Sequence, residues 1–431
     1  MSGIGTEVLT RRVFLGAVGL GVGSSFTILR AGPNPSDRIV MGLIGAGGMG
    51  MARLKGFMKH SDVEIAAVCD VDQSHLERAA AEVAKVQGRQ PEKYVDFRRL
   101  LDRSDIDAVA VVTPDHWHAI PTIQACQSGK DVFVEKPLSF SVEEGRAMAK
   151  AAAANKRVTQ MGNHIHNDLP NYRRVVELVK SGKLGRITRV NCWKVSSLKD
   201  RGNPPDCKPP AGLDYDFWLG PAPKRPYNPL RCHWTFRYFW DYSGGIFIDF
   251  WCHIVDVAYW ALDLKAPRSV SAVGERRFVN DATETPDVLE AVLEFPELTF
   301  VFTLHPNPLP GLEHMGPIGC VFQGTEATLV TTYGKHEVLV DGKKVPDFPR
   351  PEPTIPDSPG HLREFLDAVK SRAETTCNVG YGHNLTSAGL LANIALRTGE
   401  KIYWNDRLGT LVGSPNSERL LGRSYRSPWH L

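Results

Sequence analysis

Apolar positions in the first 170 residues fall into short runs separated by amphipathic stretches. Residues 38–44 (RIVMGLI) are almost uniformly apolar, the pattern of a strand buried on both faces of a parallel sheet. A helix-like stretch follows (MARLKGFMKH), then a second strand, VEIAAVCD. The alternation continues with helix 74–86, the short helix DFRRLLDR, strand IDAVAVVTP, helix HAIPTIQACQSG and strand DVFVEKP. SVEEGRAMAKAAAANK reads as a helix opened by a Ser141/Glu144 capping box, and VTQMGNHIH supplies one more strand. Strands alternating with helices predict a doubly wound parallel sheet covered on both faces. Beyond about residue 157 the period changes. RITRVNCWKV, SVSAVGERRF, VLEAVLEF, LTFVFTLH, GCVFQG and ATLVTTY are β-rich runs with turns between them. They predict a mostly antiparallel sheet with one face packed and the other forming a substrate wall or an oligomer interface. The helices GHLREFLDAVKS and NLTSAGLLANIALRTG close the chain.

The first strand runs directly into Gly45-Ala46-Gly47-Gly48-Met49-Gly50, a G-x-G-x-x-G in its required strand–turn–helix setting. The first glycine permits the tight turn, the second lets a pyrophosphate approach the backbone, and the third allows close helix–strand packing. The helix amino terminus meets the phosphate charge. The second strand ends at Asp70, placed to accept hydrogen bonds from ribose hydroxyls and to repel a 2′-phosphate, so NAD is expected over NADP. Asp72 is a second acid there and equally a helix cap. Ligands bind at strand ends in such sheets, which groups Thr113, Pro114, His118, Glu135, Lys136 and Asn163 near one crevice. The expected architecture is therefore α/β, a Rossmann doubly wound sheet plus an α+β domain with a large, mostly antiparallel open sheet. Its expected divisions are 37–157, 158–405 and a tail at 406–431. Residues 196–240 form an irregular, aromatic-rich insertion, long enough to be a functional loop or an interface arm.

Composition narrows the function. At 431 residues, 42% apolar and 23% charged, the chain is ordinary for a globular protein of two or three domains. Its net charge of +3 is spread without long runs, leaving no nucleic-acid footprint and no polybasic membrane patch. Eight cysteines sit singly with no C-x-x-C, so buried free thiols are expected rather than a zinc ribbon, a redox motif or predictable disulfides. Thr10-Arg11-Arg12-Val13-Phe14-Leu15-Gly16 precedes a short, glycine-broken apolar segment within residues 1–32. This is similar to a twin-arginine export signal, cleaved or kept as an anchor. The expected location is the periplasm, with membrane contact only through that anchor, or the cytoplasm if the signal is not used.

GAGGMG, TPDHWH, VEKPLS and GGIFIDFWCHIVD together resemble the Gfo/Idh/MocA family of sugar-acting oxidoreductases, over about Arg38 to Trp404. The resemblance implies that Lys136 of E-K-P lies beside nicotinamide and substrate. It implies that Asp249 and His253, one helical turn apart, face the same site. It also implies that Thr113, Pro114 and His118 line the cofactor, and that the open sheet forms a dimer or tetramer. Oxidising a sugar carbinol needs hydride transfer and a base for the hydroxyl proton. His253 suits the base, with Lys136 polarising the oxygen; Lys136 serves instead if burial depresses its pKa. Asp249 orients the base or holds sugar hydroxyls. Tentative substrate contacts are His164, His166, Trp234 and Tyr238. The His116/His118 and His164/His166 pairs have strand spacing for a metal, but the family mechanism needs none and none is expected.

Three function classes follow. The first is oxidoreduction of a secondary hydroxyl of a sugar, sugar derivative or glycoside with a tightly bound cofactor, since free NAD is not expected outside the cytoplasm. The second is redox-neutral glycoside hydrolysis, by C3 oxidation, elimination, water addition and re-reduction, as in a branch related to the family whose members can lack the E-K-P lysine. The third is a non-catalytic sugar- or cofactor-binding protein, disfavoured by the joint presence of Lys136, Asp249 and His253.

Overall fold

Strand and helix alternate through the first domain of the computed structural model, which describes residues 38–413 and 415–431; the expected export segment lies outside them. The first elements are β1 (Ile39–Ile44), α1 (Gly48–Phe57), β2 (Val63–Cys69), α2 (Gln73–Gln87), β3 (Glu92–Tyr94) and α3 (Phe97–Leu101). Then come β4 (Ala108–Val111), α4 (Ala119–Gln127), β5 (Asp131–Val134), α5 (Val142–Ala154) and β6 (Thr159–Met161). All six strands are parallel, in the order β3-β2-β1-β4-β5-β6. Every residue of β4 and β5 is buried, as a strand covered on both faces requires. α2 buries Leu76, Ala79, Ala80 and Val83 at helical spacing, is capped by the Asp72 carboxylate, and ends at Gly88 with φ 68°. α5 opens on the predicted Ser141 cap, whose Oγ accepts the Glu144 N–H.

β6 pairs with β5, so the expected boundary at 157/158 falls one strand early. The second domain carries α6 (Ile165–Asp168), α7 (Pro170–Lys180), β7 (Ile187–Val195), α8 (Tyr215–Leu219) and α9 (Gly245–Leu262). It continues through β8 (Ser269–Glu275), β9 (Val288–Phe295), β10 (Leu298–His305), β11 (Ile318–Gly324), β12 (Thr328–Thr331), β13 (His336–Val340) and β14 (Lys343–Lys344). α10 (His361–Ser371), α11 (Val379–Thr398), β15 (Ile402–Asn405), β16 (Thr410–Leu411) and α12 (Pro415–Glu418) complete it. Its ten strands lie in the order β14-β13-β12-β11-β7-β10-β9-β8-β15-β16, antiparallel except for β10 with β7. In β9 alternate residues Leu289, Ala291, Leu293 and Phe295 are buried while Glu290 and Glu294 face outward. α9 is long and apolar enough to cross a membrane, but 67% of it is buried inside the protein, where Phe247 and Trp251 pack on Phe302. It is a core helix.

Two segments cross between domains. α10 returns to the nucleotide domain, seating Phe365 against Phe57 and Phe133 at ring-centroid distances of 6.3 and 5.9 Å. The Gln160 amide donates to the His361 carbonyl at 2.9 Å, across 201 residues of chain. The aromatic insertion has its own small core of Tyr215, Trp218, Phe236, Phe239 and Tyr242. Backbone bonds stitch it to the β2–α2 loop: Gln73 N–H to Gly212 O (2.9 Å) and Asp214 N–H to Val71 O (2.9 Å). The residues expected to form a tail are packed as well, with Trp429 against Trp117 at 4.7 Å and Arg426 on Asp216 at 2.7 Å. All eight cysteines are free, and all but Cys207 are buried.

Candidate active site

A cavity of about 340 Å³ lies between the two domains, with the glycine loop as its floor. Gly45 has φ 92°, and a Cβ there would lie 2.5 Å from the Val112 carbonyl oxygen. A Cβ on Gly50 would lie 2.0 Å from the Gly45 oxygen, so the turn and the helix–strand contact each demand glycine. Gly48 faces open space, with no atom within 4 Å of a built Cβ. α1 begins there without a side-chain cap or an acid in its first turn, leaving its amino end for an anion. Gly45, Gly47, Gly48 and Met49 line the cavity; Ala46 and Gly50 are buried behind it.

Asp70 lines the cavity at the end of β2. Its oxygens accept the Ala46 N–H (2.6 Å) and the Asp72 N–H (2.9 Å), and His75 Nδ1 lies 3.6 Å away. A carboxylate has about four acceptor positions, so two remain for ribose hydroxyls. The open amino end of α1, the close-packed glycines and this acid fit the pyrophosphate and ribose of a nicotinamide dinucleotide. Asp72 is instead the α2 cap, and it also binds His233 Nε2 at 2.9 Å.

At the cavity's other end the last residues of β5's strand meet α9. Lys136 Nζ donates to Asp249 Oδ1 at 2.7 Å and to the Asp249 carbonyl at 3.0 Å. Arg237 Nε lies 3.2 Å from the second Asp249 oxygen. Burial opposes the Lys136 ammonium, but Asp249, with Glu135 and Asp115 behind it, outweighs burial and holds the ammonium above its usual range. Burial likewise opposes the Asp249 carboxylate, yet Lys136 and Arg237 bring it down to about 2. This pair is ionised. His253 is the reverse case: burial, then the charge of Lys136, push it well below the usual histidine range, and its Nδ1 is buried without a partner. The His164 ring lies 5.6 Å from His253 and is lowered chiefly by burial too. Two neutral imidazoles thus feel the Lys136 charge, but neither the expected His253 nor the expected His164 is among the residues lining the cavity; both stand behind its wall. Glu135 lines the cavity and is paired with Arg53.

The roof is the insertion. Trp218, His233, Trp234, Phe236 and Arg237 line the cavity from above, and Trp234 is 71% exposed. Asp72, His75 and His233 have ligand atoms within 4.8 Å of one another, the one such trio among the described residues. Its members are engaged in the Asp70 and Asp72 contacts above.

Several expected contacts lie elsewhere. Thr113 and Pro114 line the cavity, but His118 is buried behind them, its ring nitrogens at the Pro137 carbonyl (2.8 Å) and the Thr113 carbonyl (2.9 Å). It ties the two strand-end loops together rather than lining a cofactor. Asn163 is buried and donates to the Cys252 carbonyl and to Asp256, fastening β6 to α9. His166 is stacked on Trp260 at 4.2 Å and hydrogen-bonded to Asp256, so it does not reach substrate space. Tyr238 lies under the Arg201 guanidinium at 3.9 Å, facing a separate small cavity. Sequence reasoning missed Arg237 and Asp115. Asp115 lines the cavity and takes a hydrogen bond from Ser243. Arg237 sits within the HWTFRYFW run that drew attention for its rings alone.

Comparison with known proteins follows the same division. Residues 39–163 match the Gfo/Idh/MocA model "Oxidoreductase family, NAD-binding Rossmann fold", and residues 172–287 match its "C-terminal alpha/beta domain". Among curated proteins, a glycosyl hydrolase family 109 protein of Shewanella sp. (strain W3-18-1) is 35% identical over 171 residues, 38% of this chain and 36% of that protein. An alpha-N-acetylgalactosaminidase of Shewanella oneidensis is 33% identical over 167 residues, 37% of this chain and 35% of that protein. The chain thus spans about a third of the length of these relatives. Among solved structures, the WlbA dehydrogenase of Bordetella pertussis with NADH and UDP-GlcNAcA has a TM-score of 0.63 at 18% identity, covering 85% of this chain and 99% of that one. The aldose-aldose oxidoreductase of Caulobacter crescentus has a TM-score of 0.60 at 17% identity, covering 85% and 99%. These likenesses establish the shared fold. With both domains matched in order, the chain belongs to the Gfo/Idh/MocA family of NAD-binding oxidoreductases.

Proposed function

We propose that this protein oxidises a secondary hydroxyl of a sugar, sugar derivative or glycoside with an NAD that stays bound between turnovers. The observation that carries the reading is the ionised Lys136–Asp249 pair at the far end of the cavity from the glycine loop, with the neutral His253 one helical turn from Asp249 on α9. NAD, when bound, supplies the hydride acceptor and later the donor. Lys136, kept protonated by Asp249, donates to the reacting oxygen and stabilises developing alkoxide. In this reading His253 accepts the hydroxyl proton at Nε2, the ring nitrogen that is not closed off from solvent, and serves as the base in place of Lys136. Arg237 and Lys136 together hold Asp249 charged, and the insertion excludes water from above.

The second reading is redox-neutral glycoside hydrolysis. It is favoured by a second neutral imidazole, His164, 5.6 Å from the His253 ring, and by the likeness to family 109 proteins. The deciding experiment is the absorbance and mass spectrum of undialysed protein before and after a panel of glycosides. NAD that turns to bound NADH and stalls supports oxidoreduction awaiting a second carbonyl acceptor. Released aglycone without net reduction moves the assignment to hydrolysis, and protein that arrives empty and exchanges NAD freely overturns the retained cofactor.

We further infer export by the twin-arginine route to the periplasm, supported by Arg11-Arg12 and the apolar segment after them, and assembly into a dimer or tetramer through the open sheet face. Arg11→Lys/Arg12→Lys should strand the protein in the cytoplasm, and light scattering should give two or four chains per particle. Wild-type fractionation of that variant, or a monomer, removes the respective inference.

A further inference from the structure

Away from the active site a second cavity, about 490 Å³, opens between the amino end of α9, the outer half of α11 and residues 419–424. Three arginines line it: Arg397, Arg419 and Arg423. Among the described residues no carboxylate oxygen lies within 4.0 Å of any of the three guanidinium groups. Arg423 has both Nε and Nη1 buried without a hydrogen-bond partner, a costly state for a cation. Its guanidinium lies 4.3 Å from the Phe140 ring, and that of Arg397 lies 5.0 Å from the Trp240 ring, so both are held in place by packing.

The acids nearby are already committed. Asp241, on the cavity wall, takes the Arg225 Nε at 2.7 Å. Glu144, behind Arg423, accepts the Tyr425 hydroxyl at 2.9 Å and the Phe140 N–H at 3.1 Å. Burial lowers Arg423 below the usual arginine range despite these acids, as expected for a cation short of counter-charge. Gly244, which precedes the first turn of the 18-residue α9, lies on the same wall and brings the positive end of that helix to it. Asn393 Oδ1, also buried, has no partner. Ser243 separates this cavity from the cofactor cavity, with its hydroxyl bonded to Asp115 on the other side.

We propose that this cavity binds a small organic anion, a sugar-sized molecule bearing a phosphate or a carboxylate, through Arg397, Arg419 and Arg423. Guanidinium forks match the paired oxygens of either group, and the volume accommodates a monosaccharide ring. The site is independent of the reaction assigned above.

Calorimetry of the full chain saturated with NAD, at fixed ionic strength, tests it with glucose 6-phosphate, glucuronate, inorganic phosphate and uncharged glucose. The expected result is one saturable site for glucose 6-phosphate, for glucuronate or for both, the difference naming the preferred acid, and none for glucose. Affinity should fall at least tenfold in Arg423→Gln and Arg397→Gln, and Arg423→Lys should recover part of it. Arg397 and Arg419 are both exposed, so Arg397→Gln and Arg419→Gln keep the test intact if Arg423→Gln fails to fold, with an expected loss of about threefold or more for Arg419→Gln. Absence of saturable anion binding overturns the proposal, and so does binding whose affinity is unchanged in the arginine variants, which would place the anion in the active site.

Discussion

The floor of the cofactor cavity is backbone: Gly45, Gly47 and Gly48 bring the amino end of α1 to its surface with nothing projecting from them. Its roof is side chain: Trp218, His233, Trp234, Phe236 and Arg237, carried on an insertion with its own small core. The floor offers hydrogen-bond donors indifferent to what hangs beyond a phosphate. The roof offers rings, an imidazole and a guanidinium at fixed positions, which discriminate and retain. Binding a dinucleotide and the proposed retention of it would therefore rest on different parts of this chain, and substitutions can separate them.

The junction where floor and roof meet should give the largest effect. Lys136→Ala removes the donor proposed for the reacting oxygen and leaves Asp249 facing only Arg237. We expect kcat to fall by roughly 10²–10⁴ with cofactor content unchanged, measured by turnover and by absorbance of the purified protein. A variant that also loses cofactor would make Lys136 part of the floor. Gly48→Asp comes next. Its Cβ meets no atom, so the fold should persist while a carboxylate opposes the pyrophosphate. NAD affinity should drop about 100-fold at an unchanged Tm, and a fall in Tm instead would mean the loop needs glycine for its backbone. Trp234→Ala breaks the roof alone. Because Trp234 is 71% exposed, stability should hold while cofactor dissociation in a trap experiment quickens roughly tenfold. An unchanged off-rate would refute retention by the roof.

Stability against pH depends on neither floor nor roof. Burial keeps His116 and His383 neutral, pushed down to about 3 and about 4 from an ordinary 6.5. Below pH 6.5 the unfolded chain binds protons at these positions that the folded chain refuses. Stability therefore falls as pH drops from 6.5 toward 4, by about 1.4 kcal/mol per pH unit for each histidine. A Tm series over that interval measures the slope, and His383→Gln should flatten it; an unchanged slope would show that His383 does not contribute.

The same division explains what could be read beforehand. The glycine loop and Asp70 were legible because strand, turn and helix impose their spacing locally. Lys136, Asp249 and His253 were legible through a family resemblance, and the structure brings Lys136 and Asp249 into contact. His118, Asn163 and His166 were misplaced because proximity to a strand end does not say where a side chain points. Each is claimed by main-chain carbonyls or by the buried Asp256 carboxylate, which Asn163, His166 and Tyr381 share. Arg237 was invisible because only tertiary packing swings the insertion over Asp249. The boundary at 157/158 missed β6 because a three-residue strand carries almost no period.

The return of α10 has a consequence for synthesis. Phe57 and Phe133 are covered by Phe365, so a ribosome that has released residues 39–163 has made a sheet with a bare aromatic face. Burying one such side chain is worth about 1.5–3 kcal/mol, a sizeable part of a domain's margin. The nascent nucleotide domain must wait for the chain to come back before it closes. Truncations ending before His361 should be sticky and protease-sensitive even though every strand of the six-stranded sheet is already present.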